Sequence, residues 1–431
     1  MVEQEPVRLS GTRLGTNMPR VGDYNLLVVF DLIRRAKDGV SRVALANQTG
    51  LSRQTVSNVV SRLLKAGWVH EGKRLSSPGR GKPRTMLHAR ADAAFAVGVH
   101  VEPASISAIV MDANGGIRAR GEFGWESDPA RAVNSIGALV RELIEAVPAD
   151  RILGLGCSVP GPIDLERGVF VDPPTLPGWD GVQLRELVQQ ATGLETFMQK
   201  DSIAALAGEL WNRERGLDRT TLFVYSGFGI GFAAADRGEL FFGGSGNAGE
   251  GGHIRINTDD TELCTCGRQG CVGKAVEFDY LVRQAVDRGL LPPAERSHTE
   301  LVKAMDQLTQ LAGAGDPDAL ELKAKSCAAI AQAVVVVADL MDATDVIVGG
   351  SNAARLAPDL GEAVEREFLR YSAVASLHSL KVHEADFGSW VGAAGGASLV
   401  FDAKLSPSPA VLTGSDSAGP AGPPELITGI A

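Results

Sequence analysis

TTLFVYSGFGIGFAAAD, residues 220–236, sets two short runs of β-branched, aromatic and small apolar residues around the glycine-rich centre SGFGIG. Runs of this length with glycine at their junction read as strands and a glycine turn, not as one helix. The pattern recurs on both sides. AFAVGVHV at 94–101, ASISAIVMD at 104–112, RILGLGCSVPGPID at 151–164 and TDVIVGG at 344–350 are further strand-like runs with glycine turns. Between them LRELVQQATG, DSIAALAGELWNRERG and AVEREFLRYSA carry the apolar spacing of helices. Strands alternating with helices predict an α/β body.

At 431 residues the chain is long enough for two or three domains with substantial cores and no disulfide support. Five cysteines in such a chain do not suggest a disulfide framework, and three of them fall within eight positions, which points to metal. Cys157 and Cys327 sit in apolar surroundings and read as core residues. The chain does not open on a basic stretch followed by an apolar one. Its most apolar run, CAAIAQAVVVVADLMDA at 327–343, reads as too short and interrupted to span a bilayer. A cytoplasmic protein with no membrane partner is therefore expected.

The net charge of −10 conceals an asymmetry: residues 1–90 hold 16 Lys and Arg against 6 Asp and Glu, about +10, which leaves about −20 for the remainder. A basic head on an acidic body suits a polyanionic partner for the head alone. Within it, DYNLLVVFDLIRRAKDG places Leu26, Val29, Phe30 and Ile33 on one helical face, with Asp23 as the expected N-cap and Gly39 past the end. A second short helix is expected from Ser41, with Val43, Leu45 and Ala46 apolar, before a turn at Gly50. The third, LSRQTVSNVVSRLLKAGWV, turns Val56, Val59, Val60, Leu63 and Leu64 inward.

Helix, glycine turn, then a helix whose N-terminal half carries Ser52, Arg53, Gln54, Thr55, Ser57 and Asn58 is the layout of a recognition helix for the DNA major groove. GWVHEGKRLSSPGRGKPRTMLHA follows as a two-stranded wing whose loop brings Arg80, Lys82 and Arg84 to phosphates or a narrow minor groove.

A neutral imidazole and three thiolates suit tetrahedral zinc, and His253, Cys264, Cys266 and Cys271 supply them within GHIRINTDDTELCTCGRQGC, residues 252–271. Four protein ligands leave no open position, so the expected Zn2+ is structural.

The helix-turn-helix head, GCSVPGPID, LPGWDGVQLRELV, QKDSIAALAGE, SGFGIGFAAADRGELFFGGSGNAGEGGH, CTCGRQGC and VIVGGS occur in an order that resembles the ROK family, which groups bacterial sugar kinases with sugar-responsive transcription regulators. The resemblance covers roughly residues 20–403. It implies two actin-like, ribonuclease-H-like lobes around a cleft, and the head marks the regulator branch. The expected layout is a flexible N-terminus over 1–20, a winged helix-turn-helix over 21–90, a small lobe over 91–200 plus 390–403, a large lobe with the zinc site over 201–389, and a disordered tail over 404–431.

The same resemblance implies the four zinc ligands and an effector cleft that includes Gly161, Lys200, Asp201, Glu250 and His253. Glu250 and His253 match residues that contact sugar hydroxyls, and Asp201 matches the catalytic aspartate of the kinases. Two departures stand out: Lys200 occupies a position that is usually asparagine, and Gly273 one that is usually glutamate. They suggest a changed ligand, such as an anionic sugar derivative paired with Lys200. The phosphate loop departs further. In GVHVEPAS, residues 98–105, His100 stands where the kinases have aspartate, and Glu102, Pro103 and Ala104 replace Gly, Gly and Thr. Proline removes an amide donor and glutamate puts negative charge where phosphate has to sit.

The expected protein is thus a sequence-specific regulator, a repressor of carbohydrate-related genes. It acts as a homodimer or homotetramer on double-stranded DNA, binds a small carbohydrate effector and lacks kinase activity. The alternatives are an active sugar kinase with an accessory DNA-binding head, and a regulator that answers to a protein partner.

Overall fold

The computed structural model describes residues 18–75, 83–213, 218–256, 262–264, 266–293, 297–356 and 359–407. The chain divides into two compact units, Met1–Ala93 with Ala403–Ala431, and Ala94–Asp402.

In the first unit three helices, Met18–Arg35, Arg42–Thr49 and Arg53–Lys65, pack with a small antiparallel sheet in the order Val40–Ser41, Arg84–Ala89, Val69–Leu75. This is the arrangement of a winged helix-turn-helix. Leu26, Val29, Phe30 and Ile33 are buried with Leu45, Val56, Val59, Val60, Leu63 and Trp68. Phe30 meets Trp68 edge to face at 5.2 Å, worth about 1 kcal/mol beyond the area it buries. Ser41 caps the second helix by accepting from the Ala44 N–H, and Gly50 ends it at φ 70, a conformation glycine adopts without strain.

Several expectations need correction. The first helix opens at Met18, so Asp23 lies inside it, 3.9 Å from Arg62, and the last three residues of the stretch expected to be flexible are helical. Val43 is 38% exposed, because a helix of only eight residues shows the core little more than one position, here Leu45. The C-terminal helix Val391–Leu405 runs past the residue at which the tail was expected to begin. Residues 1–17 and 408–431, and the wing residues Arg80 and Lys82, lie outside the described residues.

The second unit holds two five-stranded sheets of the same design. In the first, Phe95–Val101, Ser105–Asp112 and Ile117–Gly124 form an antiparallel meander, and Ile152–Val159 and then Thr196–Lys200 join parallel beside the first strand. In the second, Thr220–Ser226, Ile230–Asp236 and Glu239–Leu240 repeat the meander, and Asp345–Gly349 and Lys381–Glu384 repeat the parallel addition. The opening stretch 220–236 is the hairpin that starts the second sheet, with Phe223 paired to Ala233. The repeated topology is the two-lobed actin-like architecture.

Glycine lets the lobes pack backbone to backbone. A Cβ on Gly98 would overlap the Ala393 carbonyl, and one on Gly156 the Gly396 carbonyl, so the helix Val391–Leu405 lies directly on the first sheet. The helix Asp201–Asn212 is buried along nearly its whole length and meets the same helix at Gly208 and Gly395. In the larger lobe Pro317–Met341 is capped by Asp316, starts on proline and ends at Asp342 with φ 50. It contains the apolar run 327–343 up to Met341. Contrary to the sequence reading, its length and apolar character would suffice to cross a membrane, yet half of its most apolar window is buried inside the fold. It is the central helix of a core that includes Ile330, Val334, Ala338, Val346 and Phe368.

Candidate functional site

On the third helix of the head, Arg53, Gln54 and Asn58 are exposed, while Thr55 and Ser57 are half-buried. Three of the six residues expected to face DNA, Ser52, Thr55 and Ser57, are instead engaged in shaping the helix. Ser52 Oγ accepts from the Thr55 N–H at 3.1 Å and lies 2.9 Å from Thr55 Oγ1, and Ser57 Oγ donates to the Arg53 carbonyl at 2.8 Å. That leaves Arg53, Gln54 and Asn58 as outward-facing groups. Gln54 Nε2 donates to Asn58 Oδ1 at 3.0 Å, so the two amides are held in register one turn apart. Arg84 is exposed at the start of its strand.

His253, Cys264, Cys266 and Cys271 come together, their ligand atoms all within 4.8 Å of one another. Cys264 Sγ lies 3.4 Å from His253 Nδ1, and Cys266 Sγ lies 3.7 Å from Cys271 Sγ. A zinc tetrahedron with Zn–N near 2.05 Å and Zn–S near 2.3 Å has edges of roughly 3.5 and 3.8 Å, which these two separations match. A tight turn places the thiols: Cys264 N–H donates to the Arg268 carbonyl and Gly267 N–H to the Cys264 carbonyl, each at 2.8 Å. Arg268 beside Cys266 pulls that thiol down to about 6, towards the thiolate a metal requires. Cys157 and Cys327 are buried away from the cluster, with burial pushing their thiols up to about 12 and about 11.

Just upstream of the Gly251–His253 turn, residues 247–250 reach Ile163 and Lys200. Asn247 Oδ1 accepts from the Ile163 N–H at 2.9 Å and its Nδ2 donates to the Ile163 carbonyl at 2.7 Å. Glu250 Oε1 pairs with Lys200 Nζ at 2.7 Å, and Lys200 Nζ also donates to the Ala248 carbonyl at 3.2 Å. A Cβ on Gly161 would stand 2.7 Å from Glu250 Oε1, so Gly161, Lys200 and Glu250 meet at one place. The buried ammonium of Lys200 is matched by Glu250 and a carbonyl, so an anionic ligand would have to compete with Glu250 for it. Asp201, next in the chain, starts the helix Asp201–Asn212. Burial raises its carboxyl to about 7 against the pull of Lys200 and the Ser202 N–H. At Gly273 a Cβ would press on the Gly252 carbonyl at 2.8 Å, so the missing side chain lets the helix Val272–Val276 lie against the Gly251–His253 turn.

Within electrostatic reach of Asp201 stands the loop that the resemblance matches to the kinases' phosphate loop. Glu102 is buried, and Ser351 Oγ donates to its Oε1 at 2.6 Å. The same oxygen lies 2.6 Å from the place of a Cβ on Gly227. Three turns, HVEPA, SGFG and GGS, therefore converge on one carboxyl group, which burial raises to about 7. Beside it Tyr225 OH lies 3.1 Å from His100 Nε2, and burial holds that imidazole down to about 4. Beyond Ser351 a cavity of about 330 Å³ opens among Gly350, Leu360, Gly361 and Val382. Its lining includes Glu362, Glu365 and Glu384 and, among the described residues, neither lysine nor arginine. Sequence reasoning missed Ser351, Tyr225 and Asn247, although each stands in a stretch it had singled out.

The sequence pattern described as the ROK family matches residues 96–403. The chain belongs to the ROK family. A ROK relative named as the xylose repressor of Caldicellulosiruptor bescii is 30% identical over 239 residues, which cover 54% of this chain and 59% of the repressor. The chain thus spans under two thirds of that relative's length. A solved ROK family transcriptional regulator, described as a homologue of the E. coli Mlc protein, shares the fold with a TM-score of 0.69 at 20% identity, over 88% of this chain and 96% of its own. A solved ROK family glucokinase from Streptomyces griseus, in complex with glucose and AMPPNP, is 26% identical with a TM-score of 0.61, over 71% of this chain and 98% of its own. The ROK body is therefore shared between chains named as kinases and chains named as regulators, and the residues in the cleft have to distinguish them.

Proposed function

We propose that this ROK protein is a DNA-binding transcription regulator, a repressor of carbohydrate-related genes, whose body binds a small sugar-type effector and does not transfer phosphate. The observation that carries the second half is Glu102. A buried carboxyl bonded to Ser351 fills the junction of the glycine turns, where a kinase needs amide donors for a polyanion. The acidic lining of the neighbouring cavity opposes a nucleotide for the same reason.

The head supports the first half: a basic segment folded as a winged helix-turn-helix, with Arg53, Gln54 and Asn58 outward, is suited to base edges. The relatives named as xylose repressors favour the same reading. In the body, Asp201 and Glu250 are placed to accept hydrogen bonds from sugar hydroxyls. His253 would ligate zinc through Nδ1, which leaves Nε2 free for a ligand. The zinc supplies architecture only, as a closed four-ligand site. A homodimer or homotetramer would hold two heads on one operator, and a cytoplasmic location suits that role.

A second reading has one observation in its favour. Asp201, raised to about 7, is where a sugar kinase keeps its base. Incubation with ATP and a panel of sugars decides: no turnover, together with sugar-dependent release of DNA, is the expected result. Turnover that disappears in Asp201→Asn would overturn the proposal.

A further inference from the structure

The cavity of about 330 Å³ beyond Ser351 lies where two neighbouring parallel strands, Asp345–Gly349 and Lys381–Glu384, end against the start of the helix Asp359–Tyr371. Crevices at the carboxyl ends of parallel strands are where α/β folds hold small molecules, and this volume is at the lower end of the range for such sites. Val348, Leu360 and Val382 give it apolar walls. Gly361 keeps it open on the helix side: a Cβ there would meet only Val382 Cγ1, at 3.8 Å.

Three carboxylates, those of Glu362, Glu365 and Glu384, line the same cavity and are exposed. Among the described residues none of the three side chains has a partner, and Glu384 is held only through its backbone, whose carbonyl accepts from Arg213 Nη2 at 3.2 Å. Acids close by but off the lining are paired: Asp359 with Lys323 at 2.8 Å, Asp306 with Arg355 at 2.6 Å and Asp345 with Arg219 at 3.4 Å. The neighbouring cations are thus turned to other partners, and the cavity keeps charge of one sign. An anion entering it would be repelled, and a neutral molecule would gain from burial alone. A cation with an apolar body gains from both the walls and the charges.

We infer that this cavity is a second ligand site, separate from the sugar cleft, for a small organic amine whose ammonium faces Glu362, Glu365 and Glu384 and whose apolar body packs on Val348, Leu360 and Val382. Binding there requires neither DNA nor sugar, so the site stands or falls apart from the proposed regulator role. Ser351 gives it a route to the rest of the body, since it lines the cavity and donates to Glu102, just past the strand Phe95–Val101, at 2.6 Å.

Tryptamine, tryptophol and indole-3-acetate share one ring system and carry a cation, a hydroxyl and an anion. Calorimetric titration of the full chain at low salt should show tryptamine binding about ten-fold more tightly than tryptophol, with no binding of indole-3-acetate or ATP. Added salt should shrink the preference, because the carboxylates are exposed. Glu362→Gln with Glu384→Gln should remove tryptamine's advantage and leave tryptophol unchanged. Gly361→Leu, which fills the cavity and suits its helix, should abolish binding of both with unchanged circular dichroism. Equal affinity for the three indoles, ATP binding as tight as tryptamine, no binding of tryptamine, or tryptamine binding that survives Gly361→Leu would overturn the inference.

Discussion

Lys200 Nζ lies 2.7 Å from Glu250 Oε1, yet the two ends of this ion pair are unequal: the lysine side chain is 3% exposed and the glutamate 47%. Removing either partner therefore has different consequences. Glu250→Ala strands a buried ammonium with one carbonyl for company, and should destabilise the body by about 2 kcal/mol. Lys200→Met keeps the volume and leaves a carboxylate that water can reach, so its effect should stay below about 1 kcal/mol. Urea unfolding of the two variants checks the order, and equal losses would show that the pair is not asymmetric. For ligands, the occupied Lys200 predicts no preference for anionic over neutral sugars in calorimetric titration of the wild type.

Glu102 gives the body a pH dependence with a defined sign. Its carboxyl is raised from 4.5 to about 7 in the folded chain, so between these values the folded state holds a proton that the unfolded state has released. Stability attributable to this group is full below pH 4.5 and is lost as pH rises to about 7. Glu102→Gln keeps an acceptor for Ser351 and removes the titration. Wild type minus variant stability should therefore fall by roughly 3 kcal/mol from pH 4.5 to 7 and level off above that. His100, held down to about 4, acts in the opposite direction in both proteins and cancels in the difference. A difference that rises with pH would contradict the burial of Glu102.

How much of this was readable in the chain depends on the distance over which each feature is encoded. The head's core and the metal ligands follow from local spacing, and the structure assembles both. The strand Ile117–Gly124 alternates half-buried and exposed residues along its whole length and was legible by its period of two, though the sequence reading passed it over. So were the amphipathic helices Phe278–Asp287 and His298–Gly313. By contrast, the Ser351 contact joins residues 249 apart and the Asn247 contact residues 84 apart. A substitution to glutamate at position 102 could be recognised as hostile to phosphate, but the hydroxyl that accommodates it could not be found by spacing. The partner of Lys200 was hidden likewise, which is why a free cation was expected there.

The metal cluster predicts one zinc per chain by elemental analysis of the full-length protein. Removing it with a strong chelator, or by Cys264→Ser with Cys266→Ser, frees the turn that sets His253 beside Cys264. The thermal midpoint of the body should drop by several degrees, and sugar-dependent release of DNA should be lost, while DNA binding itself persists because the head has its own core. A double variant that responds normally to ligand would show that the metal does not brace the cleft.

The recognition helix allows the final division. Gln54 and Asn58 are held to each other on the exposed face; if they read base edges as proposed, Gln54→Ala and Asn58→Ala should each relax discrimination between operator and altered sites by about 1–3 kcal/mol. Because the residues share a hydrogen bond, the double variant should lose less than the sum of the two. Arg84 stands at the base of the wing, with no base-reading neighbour among the described residues. Arg84→Ala should weaken binding to all sequences alike and reduce the slope of log affinity against log salt by about 0.9. Fluorescence anisotropy on specific and random duplexes over a salt series measures both quantities at once. Equal losses on the two duplexes for the helix variants, or an unchanged salt slope for Arg84→Ala, would mean that the head does not hold DNA in this orientation.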